Sequence, residues 1–369
     1  SPLRETPFCP LYGRCGGCSL QHLSYEAQLA EKTRILRDAL VRLGGLSSFP
    51  EPEIHPSLPK EYRNRMQFHS ITQPPRGFSQ GHSPFHPPRR PRPPPSETVL
   101  KAPGSGTPFH PPRRPIKPPG GVGLKARKSG ELVPVSDCPV ADPLIRRVLA
   151  EGTLPAPVDK DRFTVYARDD ILLYEGGRSR GKVTLLGREI LVDAGLFFQS
   201  NGKALELLIP RLLEAAGGAD PSRPMADIYC GVGTFAVFLQ DLFPRIDLVE
   251  ENRGALNLAR ENIPVGNCRF FPLKAEEWVK SRGERGRKTG EGPYGFIVAD
   301  PPREGLSPSL RQWLIRKGPP VLAYVSCDPA TLARDSGELC RGGYGLETIG
   351  FHDFYPQTAH IETLAVFKR

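Results

Sequence analysis

The stretch DIYCGVGTFA, residues 227–236, decides the fold, because it runs from an apolar segment through a glycine turn into a helical pattern. Gly231, Gly233 and Ala236 have the G-x-G-x-x-A spacing of turns that bind nucleotides at a helix N-terminus. Seventeen residues beyond Gly233 the next apolar run ends at Glu250, whose carboxylate could accept hydrogen bonds from ribose hydroxyls. The turn predicts a nucleotide-like cofactor but does not separate a nicotinamide dinucleotide from S-adenosylmethionine.

The same order of apolar run, turn and helical pattern recurs along the C-terminal half of the chain. It follows a helical stretch at 203–216 and returns in RIDLVEENRGALNLARENI, YGFIVADPPREGL and VLAYVSCDPATLARD. This alternation predicts a doubly wound, Rossmann-like α/β sheet, in which ligands bind at the carboxyl ends of the strands. We therefore expect one site formed by the turns that follow these runs, which end at Cys230, Glu250, Asp300 and Cys327.

Two of these strand ends carry side chains suited to chemistry. Asp300 precedes two prolines that stiffen its loop, and its carboxylate suits a planar substrate edge that donates an N–H. Cys327 is a lone cysteine, which is often inert and buried. However, FYPQTAHIETLAVF places Glu362 in the last strand, with His360 two residues before it. A thiolate nucleophile and a carboxylate base would form a coherent catalytic pair.

The positive charge of the chain is concentrated in one segment. The formal net charge is +10, and residues 72–128 contain eleven Lys/Arg against one acidic residue, Glu97. The segment also contains sixteen of the 42 prolines and repeats the octapeptide PFHPPRRP at 84–91 and 108–115. We predict a disordered Pro/Arg-rich insertion at 72–121. It is either a repeat expansion in a tolerant loop or a basic arm that holds RNA phosphates.

Composition along the chain predicts three parts. Residues 1–21 are a cysteine-rich lead-in, and 22–195 combine one amphipathic helix with short β-type runs typical of a small mixed β domain. Residues 196–369 form the α/β domain. Neither a run of about 18 apolar residues nor the apolar core of a signal peptide is present, so we expect a cytoplasmic protein without membrane contact. No obligate protein partner is evident.

Four cysteines form a candidate metal site. Cys9, Cys15 and Cys18 give C-x5-C-x2-C, and Cys138 follows in SDCPVAD. Cys9 and Cys138 each precede a proline, as do some ferredoxin cluster ligands. These residues alone leave zinc and an iron–sulfur cluster equally open, and the cytoplasm disfavours a disulfide. The remaining cysteines are interpreted as ordinary packed or turn residues: Cys230, Cys268 and Cys340.

Several of these segments together resemble one family. DAGLFFQSN, DIYCGVGTF, ADPPREG, YVSCDPATLARD and FYPQTAHIET look like the successive motifs of the RNA 5-methyluridine methyltransferases, the uracil-C5 enzymes of rRNA and tRNA. Their order and spacing match across residues 195–369. YRNRMQF resembles the central-domain strand of that family. The cysteine lead-in resembles its iron–sulfur-containing 23S rRNA uracil-C5 methyltransferase type.

The resemblance implies a class I S-adenosylmethionine methyltransferase fold that methylates a uridine of 23S rRNA. It implies that Cys327 is the nucleophile that adds to carbon 6 and that Glu362 is the base. The cofactor and uracil sites would be lined by Gln199, Tyr229, Gly231, Gly233, Thr234, Glu250 and Asp300. It also favours a [4Fe-4S] cluster, with a structural or RNA-positioning role, on Cys9, Cys15, Cys18 and Cys138.

Three residues depart from the family pattern and keep alternatives open. Asp328 replaces the usual Asn after the nucleophile, where it could raise the pKa of the thiol. Gln357 replaces a common His, and Lys274 replaces an acidic residue facing the adenine, a contact that a neighbouring Glu could supply. The alternatives are a tRNA target, a non-catalytic cluster-bearing RNA-binding protein, and a nicotinamide dehydrogenase that would have no use for Cys327.

Overall fold

The computed structural model describes residues 3–71, 121–157, 160–264, 266–289 and 293–369, with only the backbone of 283–289. The described helices are α1 (Tyr25–Arg42), α2 (Pro143–Ala150), α3 (Gly202–Gly217), α4 (Thr234–Leu239), α5 (Arg253–Asn262), α6 (Ala275–Thr289), α7 (Pro308–Lys317) and α8 (Pro329–Arg341). None of them combines the length and the apolar character needed to span a bilayer.

The described strands form three sheets. The first strands in the chain are β1 (Glu53–His55), β2 (Arg65–Ser70), β3 (Val122–Lys125), β4 (Leu132–Pro134), β5 (Arg162–Arg168), β6 (Ile171–Tyr174), β7 (Arg180–Leu185) and β8 (Arg188–Asp193). The others are β9 (Met225–Ile228), β10 (Ile246–Val249), β11 (Cys268–Phe271), β12 (Phe296–Ala299), β13 (Val321–Ser326), β14 (Gly345–His352) and β15 (Glu362–Lys368).

The large sheet confirms the predicted α/β alternation and adds a mixed edge. Its strand order is β1-β14-β15-β13-β12-β9-β10-β11. The strands from β13 to β11 are parallel, whereas β15 is antiparallel to both β13 and β14. The chain moves outward from β9 in both directions, which places the switch point between β9 and β12.

Two hydrophobic layers cover this sheet. One packs α3, α4 and α5 on the face that includes Met225, Val298 and Leu364. The other packs α1, α6, α7 and α8 on the face that includes Ile228 and Tyr324. Helix α1 begins directly after Ser24, whose side chain accepts a hydrogen bond from the Ala27 backbone N–H at 3.2 Å and so caps the helix.

The N-terminal half forms a second sheet and also adds one strand to the large sheet. Strands β4-β3-β2-β5-β6 form a second sheet with its own hydrophobic cluster, and β7 pairs with β8. Strand β1, however, joins the edge of the large sheet by pairing with β14. Of the insertion predicted at 72–121, residues 72–120 lie outside the described residues.

Candidate active site

Adjacent strand ends of the large sheet deliver the predicted side chains to one cavity of about 1220 Å³. The predicted residues that line it are Gln199, Tyr229, Gly231, Glu250, Asp300, Cys327 and Glu362. Glu362 reaches it because β15 is antiparallel and begins at the edge where β13 ends. Since Thr363 pairs with Ser326, Glu362 begins its strand beside Cys327. Cys230, just after the end of β9, is buried in the core, as expected of an ordinary packed cysteine.

The two glycines of the glycine turn have different surroundings: Gly231 lines the cavity, and Gly233 packs against α5 and the residue after it. Gly231 has φ +54° with open space where a Cβ would stand, and its N–H donates to Glu250 Oε2 at 3.0 Å. Gly233 has φ +80°, and a Cβ there would lie 2.9 Å from Ile263 Cδ1. Gly233 and Thr234 begin α4 and are not among the residues that line the cavity. Gly233 is therefore needed for helix packing whatever it contributes to a ligand.

The Cys327 thiol is half-buried and surrounded mainly by acids. Burial is the largest cause, and together with the carboxyl groups of Glu362 and Asp300 it raises the pKa of Cys327 to about 11, while the Arg303 guanidinium acts in the opposite direction. Desolvation therefore opposes thiolate formation, and Arg303 is the nearby charge that supports it. The Asp328 carboxylate caps the N-terminus of α8, where it accepts hydrogen bonds from the backbone N–H groups of Ala330 and Thr331.

Asp300 and Glu362 form a buried pair of carboxyl groups. Burial raises the pKa of Asp300 to about 7. Burial and the nearby Asp300 carboxylate raise the pKa of Glu362 well above its usual value. Gln199 Nε2 lies 3.5 Å from Asp300 Oδ2, so an amide and a carboxyl group face the cavity together. Such a pair can donate to and accept from the edge of a planar base.

The sequence reasoning missed the cationic rim of this cavity. Arg63, Arg65 and Arg303 line it, and the Arg65 guanidinium lies 5.8 Å from the ring centroid of Phe197, which is 61% exposed. Arg303 Nη2 lies 3.4 Å from His360 Nδ1. The signal for Arg63 and Arg65 was their alternation in YRNRMQF, which places both on one face of a strand.

A second missed group holds the segment 353–361 that leads to Glu362. The Lys32 ammonium lies 2.7 Å from Asp353 Oδ1, and both side chains are at most 1% exposed. Tyr25 donates to the other Asp353 oxygen at 3.0 Å. A lysine on the apolar face of a predicted helix was the available signal.

The four lead-in cysteines line a second cavity of about 380 Å³: Cys9, Cys15, Cys18 and Cys138. All eight cysteines of the chain are free thiols. Burial raises the pKa of Cys138 to about 12 and also raises those of Cys15 and Cys18. Within the described part of the chain, no three His, Cys, Asp or Glu side chains come close enough to hold one metal ion. This cavity shares Gly16, Gly17, Arg63 and Gln67 with the catalytic one.

Comparisons with known proteins agree with this geometry. A family model described as tRNA (Uracil-5-)-methyltransferase matches residues 184–369. The whole chain is 29% identical to an uncharacterized RNA methyltransferase of Treponema denticola, covering 85% of that protein. It is also 29% identical to the 23S rRNA (uracil(1939)-C(5))-methyltransferase RlmD of Alkalilimnicola ehrlichii, covering 84% of it.

The fold has a solved counterpart. The structure of the Pyrococcus abyssi tRNA (uracil-54, C5)-methyltransferase in complex with S-adenosyl-L-homocysteine aligns with a TM-score of 0.65 and 22% identity, covering 100% of this chain and 86% of that one. The family match rules out the nicotinamide dehydrogenase alternative. The chain belongs to the tRNA (uracil-5-)-methyltransferase family and is an S-adenosylmethionine-dependent enzyme that methylates carbon 5 of uracil in RNA.

Proposed function

We propose that this enzyme methylates one uridine of 23S ribosomal RNA through a covalent bond between Cys327 and carbon 6 of the base. The observation that carries the proposal is the position of Cys327 beside Glu362, with Asp300 in the same cavity. The relative RlmD, similar along the whole chain, supports ribosomal RNA. Transfer RNA is the second candidate, because the matching family model is named for it.

The residue types explain the chemistry. Carbon 5 of uracil is a weak nucleophile, so the Cys327 thiolate first adds to carbon 6 and leaves an enolate whose carbon 5 can attack. S-adenosylmethionine, when bound, supplies an electrophilic methyl group on a positively charged sulfur. The Glu362 carboxylate then takes the carbon 5 proton, and the sulfur–carbon 6 bond breaks with its electron pair returning to Cys327.

Other side chains prepare the substrate. We propose that Asp300 and Gln199 bind the N3–H and O4 edge of the uracil and that Tyr229, Gly231 and Glu250 bind the cofactor; all five residues line the same cavity. The target base must leave its stack to reach Cys327, which favours a uridine in a loop or bulge. Arg63, Arg65 and Arg303 at the rim would neutralise the phosphates on either side of it.

The lead-in cysteines are proposed to hold a [4Fe-4S] cluster. A cluster holds its four thiolates farther apart than a single zinc ion does. The observation behind this proposal is that all four thiols line one cavity. Burial disfavours bare thiolates there, and a bound cationic centre would offset that cost. We further propose that residues 1–21 form this segment, 22–195 the helix and central β domain, and 196–369 the catalytic domain, with α1 and β1 of the second part packed on the sheet of the third.

Two experiments test the function. RNA containing 5-fluorouridine, S-adenosylmethionine and the enzyme should form a covalent adduct, since fluorine cannot leave as a proton does. The adduct should be absent with Cys327→Ala and present with the control Cys268→Ala; an adduct with Cys327→Ala would rule out this nucleophile. Nucleoside mapping of ribosomal and transfer RNA, with and without the gene, should show one 5-methyluridine missing from 23S rRNA.

A further inference from the structure

The end of the nucleophile motif, Arg334-Asp335 in YVSCDPATLARD, has no role in the chemistry above. The Asp335 side chain on α8 is fully buried, and both of its oxygens accept hydrogen bonds. Oδ2 accepts from the Leu306 backbone N–H at 2.8 Å and from the Tyr324 hydroxyl at 2.9 Å. Oδ1 accepts from Arg334 Nε at 2.8 Å and lies 3.1 Å from Arg311 Nη1.

These contacts fasten residues 301–306, the loop after Asp300, to the helix after Cys327. Besides the Leu306 N–H, the loop offers the Glu304 carbonyl, which accepts from Arg334 Nη2 at 2.8 Å. Gly305 has φ +75°, and a Cβ there would lie only 2.6 Å from Asp335 Oδ2. The glycine thus allows the loop to lie directly against the carboxylate. We call Arg334, Asp335 and Gly305 with their mutual contacts the loop clasp.

The loop carries Arg303 into the catalytic cavity. Arg303 is the cation that favours ionisation of Cys327, whereas Glu362 and Asp300 oppose it. Tyr355 also interacts with Cys327, and burial raises its pKa, so its hydroxyl is neutral at pH 8. Arg303 itself is held by the backbone of its loop and by the contact with His360. A loop released from α8 would therefore let its charge move away from the thiol.

We propose that Asp335, with Arg334, is a positioning residue that holds the loop 301–306 against α8 and so keeps Arg303 in the cavity that contains the nucleophile. This inference rests on the proposed role of Cys327 as the nucleophile. It assigns a function to the last two residues of the motif, neither of which touches the reacting atoms. It also explains why the loop needs a glycine at 305.

The test measures the alkylation of Cys327 by iodoacetamide across pH, without RNA or cofactor, by mass spectrometry of the Cys327 peptide. Arg334 is 43% exposed, so Arg334→Gln should fold. We expect its alkylation midpoint to rise and its rate at pH 8 to fall by roughly threefold to tenfold, since one pKa unit changes the thiolate fraction tenfold. Arg341→Gln, on the same helix but away from the loop, is the matched control.

Arg303→Gln provides the decisive comparison. Arg303→Gln should raise the alkylation midpoint of Cys327 as Arg334→Gln does. The double variant Arg303→Gln/Arg334→Gln should raise it no further, because each single change already takes the Arg303 charge away from the thiol. Asp335→Asn should move the midpoint in the same direction. An unchanged midpoint for Arg334→Gln, or additive shifts in the double variant, would overturn the clasp. The wild-type adduct with 5-fluorouridine RNA tests the proposed function separately.

Discussion

At the residue scale, the most informative departure from the family pattern is Asp328. The sequence suggests that a carboxylate beside Cys327 could raise the thiol pKa and slow its attack. In the structure the Asp328 side chain caps α8, accepting from Ala330 N at 3.0 Å and from Thr331 N at 2.9 Å. The helix N-terminus thus stabilises this charge. The pKa of the Cys327 thiol is raised instead by burial and by the carboxyl groups of Glu362 and Asp300.

This cap gives a first prediction. Asp328→Asn keeps an oxygen that can accept the same bonds, and Asp328 is not among the charges that shift the pKa of Cys327, so the alkylation rate of Cys327 should stay within about twofold of wild type. Asp328→Ala loses the cap and should cost about 1 kcal/mol of unfolding free energy in urea. A rate increase of tenfold or more in Asp328→Asn would show that the carboxylate does suppress the thiol.

A second prediction concerns the proposed base. Glu362→Gln removes the carboxylate that accepts the carbon 5 proton but leaves Cys327 free to add to the base. Methylated RNA should therefore accumulate as a covalent complex, and turnover should fall by about 10²-fold to 10⁴-fold. Denaturing gels and methyl incorporation measure the two quantities. Glu347→Gln, an exposed glutamate on β14, is the control; normal release of product by Glu362→Gln would assign the base elsewhere.

The raised pKa values of these acids predict how the rate depends on pH. Thiolate forms as pH approaches the Cys327 pKa of about 11, and the Glu362 carboxyl group also ionises later than a free one. Both required forms are deprotonated and both pKa values are raised, so activity should increase with pH. Single-turnover methyl transfer should rise steadily from pH 6 to about pH 9. A flat profile would mean that bound RNA and cofactor already ionise both groups.

At the element scale, α1 acts as a support for the segment that leads to Glu362. Lys32 on α1 donates to Asp353 Oδ1 at 2.7 Å and to the Tyr355 backbone carbonyl at 3.1 Å. Gln28, one turn earlier, exchanges two hydrogen bonds with Gln357, from Gln357 N at 2.9 Å and to Gln357 Oε1 at 3.0 Å. The departure at Gln357 is thus matched by a glutamine partner on α1.

The buried pair on α1 yields a stability prediction. Lys32→Met removes the ammonium and leaves the Asp353 carboxylate buried with the Tyr25 hydroxyl as its remaining side-chain partner. Removing one partner of such a pair costs about 3–5 kcal/mol, measurable by urea unfolding. Lys203→Met is the control, because its ion pair with Glu206 is 65% exposed on the lysine side and is worth about 0–1 kcal/mol. Equal effects of the two changes would contradict a supporting role for α1.

At the scale of the whole molecule, sequence patterns predict the large sheet and the residues that meet at the carboxyl ends of its strands. The alternation of apolar runs and turns gives the sheet, and with it the convergence of Glu250, Asp300 and Cys327. Contacts between distant segments leave no periodic signal. The pairing of β1 with β14 and the Lys32–Asp353 pair therefore appear only in three dimensions. The antiparallel direction of β15 could not be predicted from the pattern either, because it depends on the turn at 353–361.

The last prediction links the cysteine segment to the active site. The backbone N–H groups of Ser19 and Leu20, directly after Cys18, both donate to the Gln357 carbonyl, at 2.8 and 2.9 Å. If Cys18 helps to hold a cluster, Cys18→Ser should lower the iron bound after anaerobic reconstitution. It should also speed amide hydrogen exchange across 353–361. The reason is that Ser19 and Leu20, which bind the Gln357 carbonyl, would no longer be held in place by a cluster ligand at Cys18. Cys268→Ser should change neither quantity. Lost iron with unchanged exchange at 353–361 would show that the two sites are independent.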